Sequence, residues 1–130
     1  MDICELDALE LAYIGDGVYE LMVREYLLRQ GVRRIGELHA RAVSFVSAPA
    51  QCKAVKVLLP DLSEEERSVV LRGRNAHTHG CPRGATQEEY NHATGLEALF
   101  GYLYLREDLP RIRSLFDECV RILLENRASL

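Results

Sequence analysis

The stretch LELAYIGDGVYELMVR, Leu9–Arg24, constrains this chain more than any other. Leu9, Ala12, Tyr19 and Val23 recur at helical spacing within about 60° of Asp16, so Asp16 is expected on a buried face. A carboxylate taken out of water without a partner costs several kcal/mol. No Lys or Arg stands between Glu5 and Val23 to offset that cost. Gly15 and Gly17 flank the acid, and each costs a helix interior about 1 kcal/mol relative to Ala. Glycines in that setting admit another backbone or a ligand at close range. Gly-Asp-Gly also fits a turn between two short helices. The apolar period keeps its register on both sides, however, which predicts one helix.

The remaining residues read as five more helices. Asp7 caps the first, which runs to about Gln30 with Gly31 as its stop. A second spans roughly Glu37–Val46. Ser47 caps a third over Ala48–Leu59, with Pro49 acceptable in its first turn. Ser63 and Glu66 form a capping box for a fourth, which passes into RGRNAH. The loop His77–Ala85 holds two Gly and a Pro. Thr86 and Glu89 open a fifth helix that ends near Arg106, and Asp108 caps a sixth that ends near Asn126. No segment shows sustained period-two alternation, so the fold class is all-α, a single-domain helical bundle over residues 1–130.

Composition narrows the function. With 48% hydrophobic residues in 130, the chain can bury a real core without staples. A formal charge of −4 argues against holding a polyanion by bulk charge, yet leaves room for a local basic patch. Cys4, Cys52, Cys81 and Cys119 form no C-x-x-C pair and follow no secretory leader, which points to reduced thiols and a cytoplasmic location. Cys4, Cys52 and Cys119 read as small buried apolar residues. No apolar run reaches the length of a membrane span.

Glu97, in ATGLEALFGYLYL, repeats the anomaly of Asp16. Tyr90, Ala93, Phe100, Gly101 and Tyr104 share its helical face, and no Lys or Arg occurs from Gly84 to Leu105. Two helices thus each carry one acid on an apolar, Gly-bearing face. If they pack together, the acids repel unless something positive lies between them. Mg²⁺ suits two carboxylates, because it keeps several waters in its other positions. Spacing alone equally allows each acid a distant Arg, or one acid a retained proton. Glu20 lies one turn after Asp16, but an i,i+4 pair with Arg24 is its plainer role.

LAYIGDGVYE and GLEALFGYLYL, with RGRNA between them, resemble the Mini-III ribonucleases, the short branch of the ribonuclease III family. The resemblance runs from about Leu6 to Leu105. It implies an all-α homodimer made of the endonuclease domain alone, with no double-stranded-RNA-binding domain. It also implies Mg²⁺-dependent cleavage of double-stranded RNA, maturation of precursor 23S ribosomal RNA, and 5′-phosphate and 3′-hydroxyl ends. Asp16 matches the signature-motif aspartate and Glu97 the glutamate of the second acidic motif, both catalytic and both metal-holding. Longer relatives have an acid where this chain has Ala12 and an aspartate where it has Thr94. The Mini-III branch resembles this chain at both positions, and the number of metals per site stays open.

Arg72, Arg74, Asn75, His77 and Arg83 form a cluster with no acid from Arg67 to Gln87, and are the expected RNA-binding residues. Thr78 adds a donor, and His77 and His79 are expected to strengthen the grip below about pH 6.5. The ordinary alternative is a solvated helix end whose arginines suit the dipole. His77, His79 and Cys81 alternate in a way that suggests zinc, but a fourth ligand is remote, so a polar loop is expected. A homodimer is expected with the Asp16 helix near the two-fold axis, where Gly15 and Gly17 allow close approach. Two rival readings fit the chain less well. A non-catalytic RNA-binding or ribosome-assembly module would have no need of both acids. A nucleotide pyrophosphohydrolase needs Glu-x-x-Glu pairs, and the chain has none.

Overall fold

Asp7 starts the first long helix by a reciprocal cap: its side chain accepts the Glu10 N–H while Glu10 accepts that of Asp7. The helix, α1 (Ala8–Arg29), runs through Gly15-Asp16-Gly17 without a break. It ends where Gly31 takes φ 94°, a left-handed conformation that favours glycine. In the computed structural model, which describes residues 1–77 and 80–128, five further helices follow. They are α2 (Ile35–Val46), α3 (Ala48–Leu58), α4 (Glu64–Arg74), α5 (Gln87–Leu105) and α6 (Leu109–Ala128). Among the described residues there is no strand.

The caps read from the sequence are present. Ser47, Ser63 and Thr86 each accept a backbone N–H three residues on. Helix α2 begins two residues before the expected Glu37, because its cap position, Arg34, makes no side-chain hydrogen bond and leaves no signal. A single 3-10 turn, Leu59–Asp61, replaces the last residue expected in α3. Cys4 is exposed, correcting its reading as a buried residue; it lies in a short 3-10 turn ahead of α1. Cys52 and Cys119 are buried as expected, and all four cysteines are free thiols.

Helix α5 is the pillar, flanked by α1, α3 and α4. Its Phe100 meets Tyr19 edge to face at 5.2 Å, and Tyr19 meets Phe116 of α6 at 5.8 Å. The Tyr19 hydroxyl, buried with its ring, donates to the Phe45 carbonyl at 3.0 Å and so ties α1 to α2. A second pair of backbones touches where α4 meets α5. A Cβ on Gly73 would lie 2.8 Å from the Gly95 Cα, and one on Gly95 would lie 2.6 Å from the Val70 carbonyl oxygen. That contact fixes where α4 ends relative to the acidic turn of α5.

Candidate active site

The two acids meet because two backbones do. A Cβ on Gly15 would fall 1.6 Å from the Glu97 carbonyl oxygen, and one on Gly101 would fall 1.9 Å from that of Leu11. Only glycine fits at either point, so the main chain beside Asp16 rests directly on the main chain of Glu97. Gly15 is therefore consumed inside the chain and is not free for a partner copy, contrary to expectation. Gly17 is the open one, with nothing within 4 Å of an added Cβ.

Asp16 is exposed, which corrects its expected burial. The buried stripe of α1 runs through Ala8, Leu11, Ala12, Gly15, Tyr19, Met22, Val23 and Leu27. Its centre lies nearer Gly15, about 100° away from Asp16 around the helix. Leu9, 43% exposed, sits off the stripe for the same reason. Glu97 is half-buried, and its carboxyl group lies close to that of Asp16. Burial first, then the neighbouring Asp16 carboxylate, push the Glu97 carboxyl up to about 8. Glu20 adds a smaller push in the same direction, while its own carboxylate pairs with Arg24 at 3.1 Å, as expected.

A side chain that the sequence reading passed over completes this corner. Gln51 of α3 is 2% exposed. Its Nε2 donates to the Val46 carbonyl at 3.0 Å and reaches Glu97 Oε2 at 3.5 Å. Its Oε1 is buried and has no partner among the described residues, an omission that costs about 1–3 kcal/mol. Helical spacing marks position 51 as inward-facing. Nothing in a single sequence tells an inward Gln that serves a neighbouring acid from one that caps a turn.

Two neighbouring carboxyl groups, one of them held towards its protonated form, make a ready donor pair for a divalent cation that can displace the proton. Among the described residues no group of three or more His, Cys, Asp or Glu side chains converges. The pair offers hard oxygen donors and little else, which fits an ion that keeps most of its waters.

The arginine cluster is only partly brought together. Arg72 and Asn75 are exposed and line one shallow groove with Ala8, Ser68 and Leu71. Arg74 is half-buried on another side of the helix end, its Nε donating to Asn75 Oδ1 at 3.3 Å. Arg83 is exposed in the loop. Among the described residues, Arg72, Arg74 and Arg83 have no carboxylate partner, whereas Arg24, Arg29, Arg41, Arg106, Arg111, Arg113 and Arg121 all have one.

His77 is turned inward. It stacks on Tyr90 at 4.4 Å, and its Nε2 lies 3.1 Å from Thr94 Oγ1. The Thr94 hydroxyl already donates to the Tyr90 carbonyl at 3.0 Å, so the imidazole is the donor and carries its proton on Nε2. Thr94 thus anchors His77 at the start of the loop. Cys81 turns instead to the Ala85 carbonyl at 3.5 Å, so it does not join His77 in a zinc site. Thr78 and His79 lie outside the described residues.

Comparison with known proteins places the fold in a family. The family model for the ribonuclease III domain matches residues 9–108, placing the fold in the class of ribonuclease III-type nucleases. A Mini-ribonuclease 3 of Symbiobacterium thermophilum is 49% identical over 107 residues, 82% of each chain. One from a Thermoanaerobacter species is 39% identical over 123 residues, covering 95% of this chain and 87% of that one. A crystal structure of a Fusobacterium nucleatum protein superposes with a TM-score of 0.83 at 34% identity, covering 92% of this chain and 96% of that one. The chain belongs to the Mini-ribonuclease 3 branch of the ribonuclease III family and is an endoribonuclease. That family acts on double-stranded RNA with a divalent metal.

Proposed function

We propose that this endoribonuclease is a homodimer that cleaves double-stranded RNA with Mg²⁺ held by Asp16 and Glu97. Its substrate is precursor 23S ribosomal RNA, matured in the cytoplasm. The single observation that carries the reading is the meeting of two acids on helices whose backbones touch. Such a pair is costly unless a cation resolves it. When bound, Mg²⁺ would lower the pKa of a water and neutralise charge building on phosphate oxygens.

The chain's own residues do the rest. Exposed Asp16 and half-buried Glu97 would hold the cation between their carboxylates, Glu97 as its deprotonated form. In-line attack of water on phosphorus then leaves a 5′-phosphate and a 3′-hydroxyl. Arg72, Arg74, Asn75 and Arg83 supply donors to phosphate and 2′-hydroxyl oxygens of an A-form duplex. His77 itself packs on α5, against Thr94 and Tyr90.

The outer face of α1 supports the dimer. Tyr13 is 83% exposed and Leu21 68%, with Leu9 and Leu28 on the same helix and Tyr104 and Leu109 beside it. Bare Gly17 lies among them. A two-fold partner would cover this apolar strip and set two sites along one duplex. Among the described residues no single helix is long and apolar enough to cross a membrane, so the strip is not part of a span.

The test is one incubation of labelled 23S precursor with the protein, in Mg²⁺ and in EDTA, beside Asp16→Asn and Glu97→Gln. Cleavage confined to the parent in Mg²⁺ is the expected result. Equal cleavage by either variant, or in EDTA, overturns the mechanism. Light scattering of the parent and of Tyr13→Glu/Leu21→Glu checks the dimer: the parent is expected at twice the chain mass and the variant at once.

A further inference from the structure

Among the described residues, Gln51 is the one buried side chain near the acids whose hydrogen bonding is left unfinished. Its amide orientation is not arbitrary, because the Val46 carbonyl can only accept, so Nε2 must point that way. The same nitrogen then lies 3.5 Å from Glu97 Oε2, and Oε1 is left buried without a donor among the described residues. An apolar side chain of similar volume would fill the place with no orphan. A polar group kept under those terms next to a metal-holding carboxylate has the profile of a partner that aims the ligand.

We propose that Gln51 is a positioning residue: its amide, anchored on the last turn of α2, holds the Glu97 carboxylate in the orientation that binds the divalent cation. This inference rests on the reading of Asp16 and Glu97 as the metal pair. The two N–H groups of the amide serve one acceptor each. The Val46 contact fixes the amide, and the fixed amide limits the rotation of Glu97 about its terminal torsion. Oε1 stays available as an acceptor for a water that accompanies the ion.

Gln51→Met keeps volume and length and removes both polar atoms. In EDTA its melting temperature should stay within about 5 °C of the parent's. Mn²⁺, which suits the same carboxylate and water donors as Mg²⁺, is titrated into the full-length protein without RNA and followed by the paramagnetic resonance of the free ion. Affinity should fall about 10–100-fold, the usual cost of losing such a partner. In Mg²⁺, kcat should fall to a similar degree while KM for a short duplex stays unchanged. Gln51→Asn, one methylene too short to span Val46 and Glu97, is the second variant and should lose the ion similarly while keeping a polar amide. Parent-like Mn²⁺ affinity in either folded variant overturns the inference, as does a fall in KM-linked RNA binding with kcat intact. Asp16→Asn in the same titration separates the two readings. If it loses Mn²⁺ and the Gln51 variants do not, Gln51 alone is misassigned; if it too binds like the parent, the metal pair itself is wrong.

Discussion

The crossing of α1 on α5 and the end of α4 with its loop are built on opposite terms. At the crossing, glycines bring main chain onto main chain, cations are absent from both local stretches, and two acids are forced together. At the α4 end, Arg72 and Arg83 stand in solvent and, with Arg74, are left without carboxylates among the described residues, while most other arginines are paired. The first region spends stability on a geometry; the second withholds the partners that would quench its charge. Reaction and grip are therefore separable, and substitutions should sort cleanly between them.

The largest effect should come from the acids. Asp16→Asn or Glu97→Gln removes a cation ligand worth several kcal/mol to the transition state, a loss of roughly 10³-fold or more in kcat. Both variants should remain folded, and duplex binding should be near that of the parent in a gel-shift assay. Loss of binding in step with activity would erase the division between the two regions.

Next comes the crossing itself. Gly15→Ala or Gly101→Ala drives a methyl group into a backbone carbonyl and should cost about 3 kcal/mol or more in urea unfolding, since overpacked cores lose about 1–3 kcal/mol even where side chains can yield. Gly17→Ala, facing open space within the chain, should be neutral or slightly stabilising in a monomeric background.

A smaller effect is expected at the arginines. In an Asp16→Asn background, Arg72→Ala and Arg83→Ala should each lower the slope of log affinity against log salt by about one unit per lost phosphate contact. They should do so alike on duplexes of different sequence, with kcat at saturating RNA little changed. Unaltered slopes in the double variant would remove the loop from the binding surface.

The mildest prediction concerns pH. The Glu97 carboxyl is raised in the folded chain above its unfolded value of 4.5, to about 8, so the folded state holds a proton that the unfolded state has lost between those limits. Metal-free stability should therefore be full below about pH 4.5 and decline as pH rises towards 8. Glu97→Gln should flatten that part of the curve. For the same reason cation affinity should rise with pH over the same window, with proton release on binding detectable in weakly buffered solution.

Much of this was legible in the sequence because its signals are local. Asp7 with Glu10, Ser63 with Glu66 and Thr86 with Glu89 announce helix starts within four residues, and each cap is present. The acids were visible as charges in stretches with no compensating cation. Other features depend on distant neighbours, which periodicity does not encode. The start of α2 carries no cap to read, and the exposure of Asp16 depends on where α5 lies against α1. The use of Gly15 inside the chain, and not between chains, depends on the Glu97 carbonyl. His77 reads as a loop donor until Thr94 and Tyr90 are seen to hold it. Gln51 reads as nothing in particular until its amide is placed between Val46 and Glu97.

The main-chain contact at Gly15 and Gly101 has a bearing on how such an enzyme can change. Where two helices meet through side chains, a swap of Leu for Val or Met slides one against the other by fractions of an ångström, and spacing drifts with ordinary mutation. Here no side chain lies between them at those points, so there is no adjustable spacer. The separation of the two helices there is set by peptide groups that every sequence shares. Drift elsewhere in the core leaves that spacing alone.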